Sequence, residues 1–157
     1  MAQPASPDAR IAALRLQLPP PPPLGGIYKR VVVAGGLAWV SGHGPLRADG
    51  SYIVGRVGAD LEVNEGRTAA RQTGLAILAS LRDHFGTLDR VRRVVKLLGM
   101  VNSAPGFHQH PAVINGCSEL FAEVWGDDLG VGARSAVGMM ALPGNIAVEI
   151  EGVFEIA

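Results

Sequence analysis

The chain has a single cysteine, Cys117, so no disulfide forms within it and the cross-linked framework of a small secreted domain is excluded. Aromatic residues are scarce, at 5% of the chain, and 14 Lys and Arg balance 14 Asp and Glu. No strong field therefore draws a phosphate backbone, and no basic stripe with interleaved aromatics is present to track a strand. We expect no nucleic-acid partner. Nor does any stretch approach the roughly 18 uninterrupted apolar residues of a membrane span, and Met1 to Arg10 lack a basic segment followed by an apolar one. No membrane association and no signal peptide are expected, and a cytoplasmic location is the default.

What the chain does have is apolar residues, 48% of 157, enough to bury the core of one domain. Ser6-Pro7-Asp8 reads as a helix start, with Ile11, Leu14 and Leu18 on one stripe. The run Pro19 to Pro23 then forbids helix and favours an extended spacer. Residues 1–24 are thus an N-terminal arm and 25–157 the domain. Val31-Val32-Val33 and Leu37 to Ser41, joined by Ala34-Gly35-Gly36, predict a hairpin, and Tyr52-Ile53-Val54 a further short extended piece. Leu61 to Phe85 carries Ala69, Ala70, Thr73, Ile77 and Leu81 at helical spacing up to a glycine stop at Gly86. Val94 to Val101 reads as a strand, and Val113, Ile114, Cys117, Leu120, Phe121 and Val124 as a second helical stripe ending near Gly126. Two strands close the chain, Arg134 to Ala141 and Ala147 to Ile156. The order β-β-α-β-α-β-β predicts an α+β fold with one mixed sheet and both long helices on one face. The other face carries too much Val, Ile and Met for water, so self-association is expected.

Tyr28, the strand ending Val40-Ser41-Gly42-His43-Gly44-Pro45, the long helix, and Arg134-Ser135-Ala136-Val137 leading through Leu142-Pro143 to Val148-Glu149-Ile150-Glu151 together resemble the Rid/YjgF family. That family is also labelled endoribonuclease L-PSP or chorismate-mutase-like. Ser103-Ala104-Pro105-Gly106-Phe107 and Val113-Ile114-Asn115-Gly116 look like one of its subgroups. The resemblance implies a chorismate-mutase-like subunit of a homotrimer, with ligand clefts lined by two chains. It also implies hydrolysis of imines and enamines of 2-amino acids to 2-keto acids and ammonia, without a metal or organic cofactor. Arg134 matches the family's arginine, Glu149 the glutamate that holds the water, and Tyr28 and Ser41-Gly42 the cleft lining. In deaminating members a cysteine commonly stands where this chain has Ala136, and an acidic residue where it has Gly138.

A planar guanidinium at Arg134 can grip a substrate carboxylate through two parallel hydrogen bonds, and glycine at Gly42 lets a ligand approach backbone. Each residue also has a plainer reading: Arg134 as an interface arginine, Glu149 with Glu151 as partners in salt bridges, Tyr28 as a packed aromatic. His43 is either a donor or proton carrier at the cleft or an ordinary loop histidine. Asn115 either lines the cleft or serves in capping or packing. His108 and His110 lie two apart, do not share a helical face and have no acidic or cysteine cluster beside them, so no metal site is expected. Cys117 belongs to the core. The expected ligand is a small carboxylate, either turned over or merely bound in a sensing role, and RNA cleavage comes with the family label alone.

Overall fold

The computed structural model describes residues 5–157. Met1 to Pro4, the start of the arm and of the segment read for a signal peptide, lie outside the described residues. Helix α1 (Pro7–Ala13) precedes the hairpin β1 (Val31–Ala34) and β2 (Leu37–His43). There follow α2 (Val63–Phe85), β3 (Val91–Asn102), α3 (His110–Trp125), the short α4 (Asp127–Gly130), β4 (Ala133–Met139), a 3-10 turn (Pro143–Asn145) and β5 (Val148–Ile156). The expected order of strands and long helices is present. The strands form one sheet in the order β1-β2-β5-β3-β4, antiparallel except for the parallel β3/β4 pair at one edge. The Tyr52 to Val54 segment differs from expectation. It makes only isolated bridges, Leu46 to Tyr52 and Val54 to Ile146, because Gly50 and Gly55 at positive φ break the extended run on both sides.

Helix α2 starts at a capping box in which the Glu62 amide donates to the Glu65 carboxylate at 2.7 Å. It ends at Gly86, whose φ of 77° is the left-handed geometry that a Cβ would oppose. Val148, Ile150 and Phe154 of β5 alternate inward against both helices, and Glu149, Glu151 and Val153 point the other way. Between the helices the backbones come close. A Cβ at Gly116 of α3 would overlap the carbonyl oxygen of Arg67 in α2, and one at Gly74 would lie 2.8 Å from Leu120 Cδ2. Arg71 and Glu123 pair across the outer rim of the same contact at 2.7 Å and 3.1 Å.

The N-terminal segment is fastened to the rest of the chain. Ser6 caps α1 by accepting from the Ala9 amide, and Ile11 is buried in the core. Asp8 accepts from Arg82 Nη2 at 2.8 Å, Thr87 Oγ1 at 2.6 Å and the Leu88 amide at 3.0 Å. Arg30 Nη1 donates to the Pro22 carbonyl at 2.7 Å, holding the proline run across the hairpin. On the sheet face opposite the helices, Trp39 is 50% exposed and lies near Leu98 and Val153, with Lys96 Nζ donating to Ser135 Oγ at 3.1 Å.

The helix contact yields a direct test. Gly116→Ala forces the two backbones apart and should lower stability in chemical denaturation by about 3 kcal/mol, the scale of overpacking in a tight interior. Gly86→Ala, which only strains one terminal residue, should lose about 1 kcal/mol. Equal losses would show that the helices separate freely and that no close contact is required.

Candidate functional site

Strand β2 runs in register with β5 to Val40, opposite Gly152, but His43 stands opposite Ile150. Three steps on β2 thus match two on β5, which is a bulge at Ser41-Gly42. The bulge is held from three sides. The Ser41 amide donates to the Arg30 carbonyl at 3.0 Å and its hydroxyl to the Lys29 carbonyl at 2.6 Å. Behind it the His43 ring is 3% exposed, with Nδ1 2.6 Å from the Ser41 carbonyl oxygen and Nε2 2.7 Å from Ser80 Oγ of α2. In front, the Glu149 carboxylate occupies the space a Cβ at Gly42 would need, so any larger residue there would displace that carboxylate.

A cavity of about 800 Å³ opens at this bulge, lined by Tyr28, Ser41, Gly42, Tyr52, Glu149 and Glu151 among others. The polar lining is carboxylate and hydroxyl, and no lysine or arginine reaches it. Burial, then the neighbouring Glu151 charge, pushes the Glu149 carboxyl above the usual carboxylate range. Burial pushes the His43 imidazole below its ordinary value; the bond to the Ser41 carbonyl works against that shift and the Arg30 charge reinforces it.

Arg134 is elsewhere. It stands opposite the inward-facing Leu97 on the edge strand β4 and turns toward α3, where Nη1 donates to Asn115 Oδ1 at 2.8 Å and Ser118 Oγ at 3.1 Å. Ala136, opposite Gly99, points the same way and packs on the core. Within one chain the structure therefore brings Tyr28, Ser41, Gly42 and Glu149 together, and separately joins Arg134 with Asn115, with Ala136 two residues further along the strand. His43 lines neither group; the bulge turns its side chain inward, to the helix side of the sheet. Tyr52 and Ser118 are not site candidates on the sequence, and Glu151 is one only as a salt-bridge partner beside Glu149. Ser118 had a signal, since it stands three residues after Asn115 on the same helix face.

Neither charge is compensated. Among the described residues, Arg134 makes no ion pair with a carboxylate and Glu149 none with a base. Also among the described residues, no group of three His, Cys, Asp or Glu side chains is placed to share a metal ion. Among the described residues no helix is long and apolar enough to cross a membrane.

A small mixed sheet backed by two helices carries an acidic cavity at a bulge and, on its edge strand, an arginine with no carboxylate partner among the described residues. The model of the family described as "YjgF/chorismate mutase-like, putative endoribonuclease" matches residues 8–148, and the chain belongs to that family. Protein TCP17 of Trypanosoma cruzi is 38% identical over 148 residues, 94% of this chain and 92% of that one. The crystal structure of Atu1372 from Agrobacterium tumefaciens, a protein of unknown function, has a TM-score of 0.86 at 38% identity, covering 96% of this chain and 94% of its own. That of a putative endoribonuclease from Shewanella oneidensis has a TM-score of 0.91 at 27% identity, covering 97% and 100%.

Two pH effects on stability follow. The folded chain holds the Glu149 proton more tightly than the unfolded chain, so this group's stabilising contribution is full below the ordinary carboxyl value and lost as pH rises through the raised one. Glu149→Gln should therefore be more stable than wild type at neutral pH, with the gain vanishing toward pH 4; a less stable variant would mean the carboxylate is held by a cation. For His43 the sign is opposite: the stability it contributes is full above the ordinary imidazole value of 6.5 and lost as pH falls through the depressed one. His43→Gln should flatten the slope of stability against pH below 6.5. An unchanged slope would show that the ring does not titrate between the folded and unfolded states.

Proposed function

We propose that this chain hydrolyses reactive enamine and imine intermediates of 2-amino acids to 2-keto acids and ammonia, without a metal, in clefts shared between subunits of a homotrimer. The observation that carries this reading is the separation of two uncompensated, partly buried charges, Glu149 in the cavity and Arg134 on the other side of the sheet at its edge. One copy cannot bring them to one substrate, whereas the cavity of one copy set against the β4 edge of another can. The apolar patch formed by exposed Trp39 and Val32 with half-buried Leu98 and Val153 supports such an association.

In the shared cleft the Arg134 guanidinium, already oriented by Asn115 and Ser118, grips the substrate carboxylate and fixes the adjacent C=N carbon. Glu149 and backbone at the Ser41-Gly42 bulge hold a water against that carbon. An enamine first takes a proton at carbon to become the imine. Water oxygen then bonds to the imine carbon as Glu149 takes one water proton and returns it to nitrogen, giving the carbinolamine. The remaining hydroxyl proton passes through Glu149 to nitrogen as C=O forms and the C–N bond breaks, releasing ammonia and the keto acid. A carboxyl whose proton affinity is raised by burial is suited to accept and return a proton. One observation favours a second reading, in which the clefts bind keto acids without turnover: Ala136 presents only a methyl group, packed on the core, beside the arginine's strand.

Ammonia and keto-acid release from freshly generated imino acids decides between them. Wild type should accelerate release, and Arg134→Ala should lose about 100-fold, the scale of a charge-assisted carboxylate grip. Keto-acid binding through Arg134 with no acceleration would establish the binding protein instead. Dissociation of the oligomer by Arg134→Ala with turnover unchanged would overturn the clamp, and salt-sensitive RNA cleavage would move the function to the family's other label.

A further inference from the structure

Successive inward residues of β4 are Arg134, Ala136 and Gly138, and they face a line of polar side chains running back along α3. At one end the Arg134 guanidinium rests on Asn115 and Ser118. At the other end Ser103 Oγ, just past β3, lies 3.2 Å from Nε2 of His110, the first residue of α3. This pair stands directly over Gly138, where a Cβ would come 2.5 Å from His110 Nε2 and 2.6 Å from Ser103 Oγ. The edge of the Phe107 ring meets the imidazole at a centroid distance of 5.3 Å and fixes its plane. Gly138 is exposed and both polar side chains are partly so, which makes this end of the seam reachable from solvent. Nothing in the reaction described above uses Ser103 or His110.

From this seam, and resting on the reading of Arg134 as a carboxylate clamp, we infer that Ser103 and His110 select the substrate by its far end. The favoured class is imino and keto acids whose side chain carries a terminal carboxylate or carboxamide. The chemistry of the pair fits an acceptor. With its proton on Nε2 the imidazole donates to Ser103 Oγ, leaving the serine hydroxyl free to donate to a ligand oxygen. Asn115 and Ser118 lie five and eight residues beyond His110 along α3, roughly 7.5 to 12 Å of helix at about 1.5 Å per residue, so a ligand held at both ends is an extended chain with a polar group at each terminus.

The matched probes are 2-oxopentanedioate and 2-oxopentanoate, equal in chain length and different only at the far end, with Kd measured by calorimetry on the intact protein. Wild type should bind the diacid at least about 10-fold more tightly, the worth of one hydrogen bond to a charged group. Ser103→Ala, and independently His110→Phe, should reduce that preference to about twofold while leaving the Kd of 2-oxopentanoate unchanged. Equal affinities in wild type, or variants that weaken both acids alike, would overturn the inference and assign the pair a structural role. The outcomes separate from those of the proposed reaction. Loss of both ligands in Arg134→Ala supports the clamp, and a Ser103-dependent preference that survives Arg134→Ala would sink the clamp but not the pair. A preference without any turnover would remove the hydrolase reading alone.

Discussion

Helices α2 and α3, in backbone contact at Gly116 and with α3 side chains seated on Gly74, cover one face of the sheet only, and the placement of the chemically active side chains follows from that. Strands alternate, so each contributes one set of residues to the helices and one to the bare face. On β5 the inward set is Val148, Ile150 and Phe154, and the outward set includes Glu149 and Glu151. A looser helix pair could not sit over so narrow a sheet without exposing the aliphatic residues that now exclude water from its inner face.

The bulge at Ser41-Gly42 is the second device, and it depends on the first. Val40 points inward; without an extra residue Ser41 would point out, Gly42 in and His43 out. The bulge shifts that parity by one, delivering His43 to the helix side, where Ser80 of α2 stands ready, and leaving Gly42 against the Glu149 carboxylate. The imidazole is therefore scaffold. Its bond to the Ser41 carbonyl ties the cavity rim to the long helix, so the cavity inherits the rigidity of the core rather than that of a loop.

This explains what the sequence could and could not disclose. The order of elements was legible because its punctuation is strong: Gly35-Gly36 and Gly86 all sit at positive φ, where their backbone geometry demands glycine. Alternation in β5 was legible because both faces of a central strand are committed. Strand β4 was not, since it is an edge strand with few fully buried positions, and Ala-Arg-Ser-Ala-Val-Gly-Met carries little alternation to say which way Arg134 turns. His43 was ambiguous for a sharper reason: a one-residue bulge leaves no mark in composition yet reverses every facing prediction beyond it. Tyr52 escaped notice because its segment reads as a strand but folds as isolated bridges around the cavity mouth.

The two unpaired charges carry a consequence for assembly under the proposed reading. A partly buried carboxylate and a partly buried guanidinium, each without a counter-ion among the described residues, both disfavour the isolated chain. Facing one another across an interface, they would offset that cost while remaining apart enough to admit a carboxylate between the arginine and the water-holding glutamate. Ligand and subunit association then reinforce each other, because whatever binds the assembled cleft and not the lone chain shifts the equilibrium toward assembly. Protonation of Glu149 works in the other direction on catalysis than on folding: it relieves the buried charge while removing the base that activates water. Under the proposed reading, the pH that favours Glu149's own contribution to folding is thus below the pH that favours its use as a base, a separation expected wherever a site keeps a buried carboxylate ionised for use.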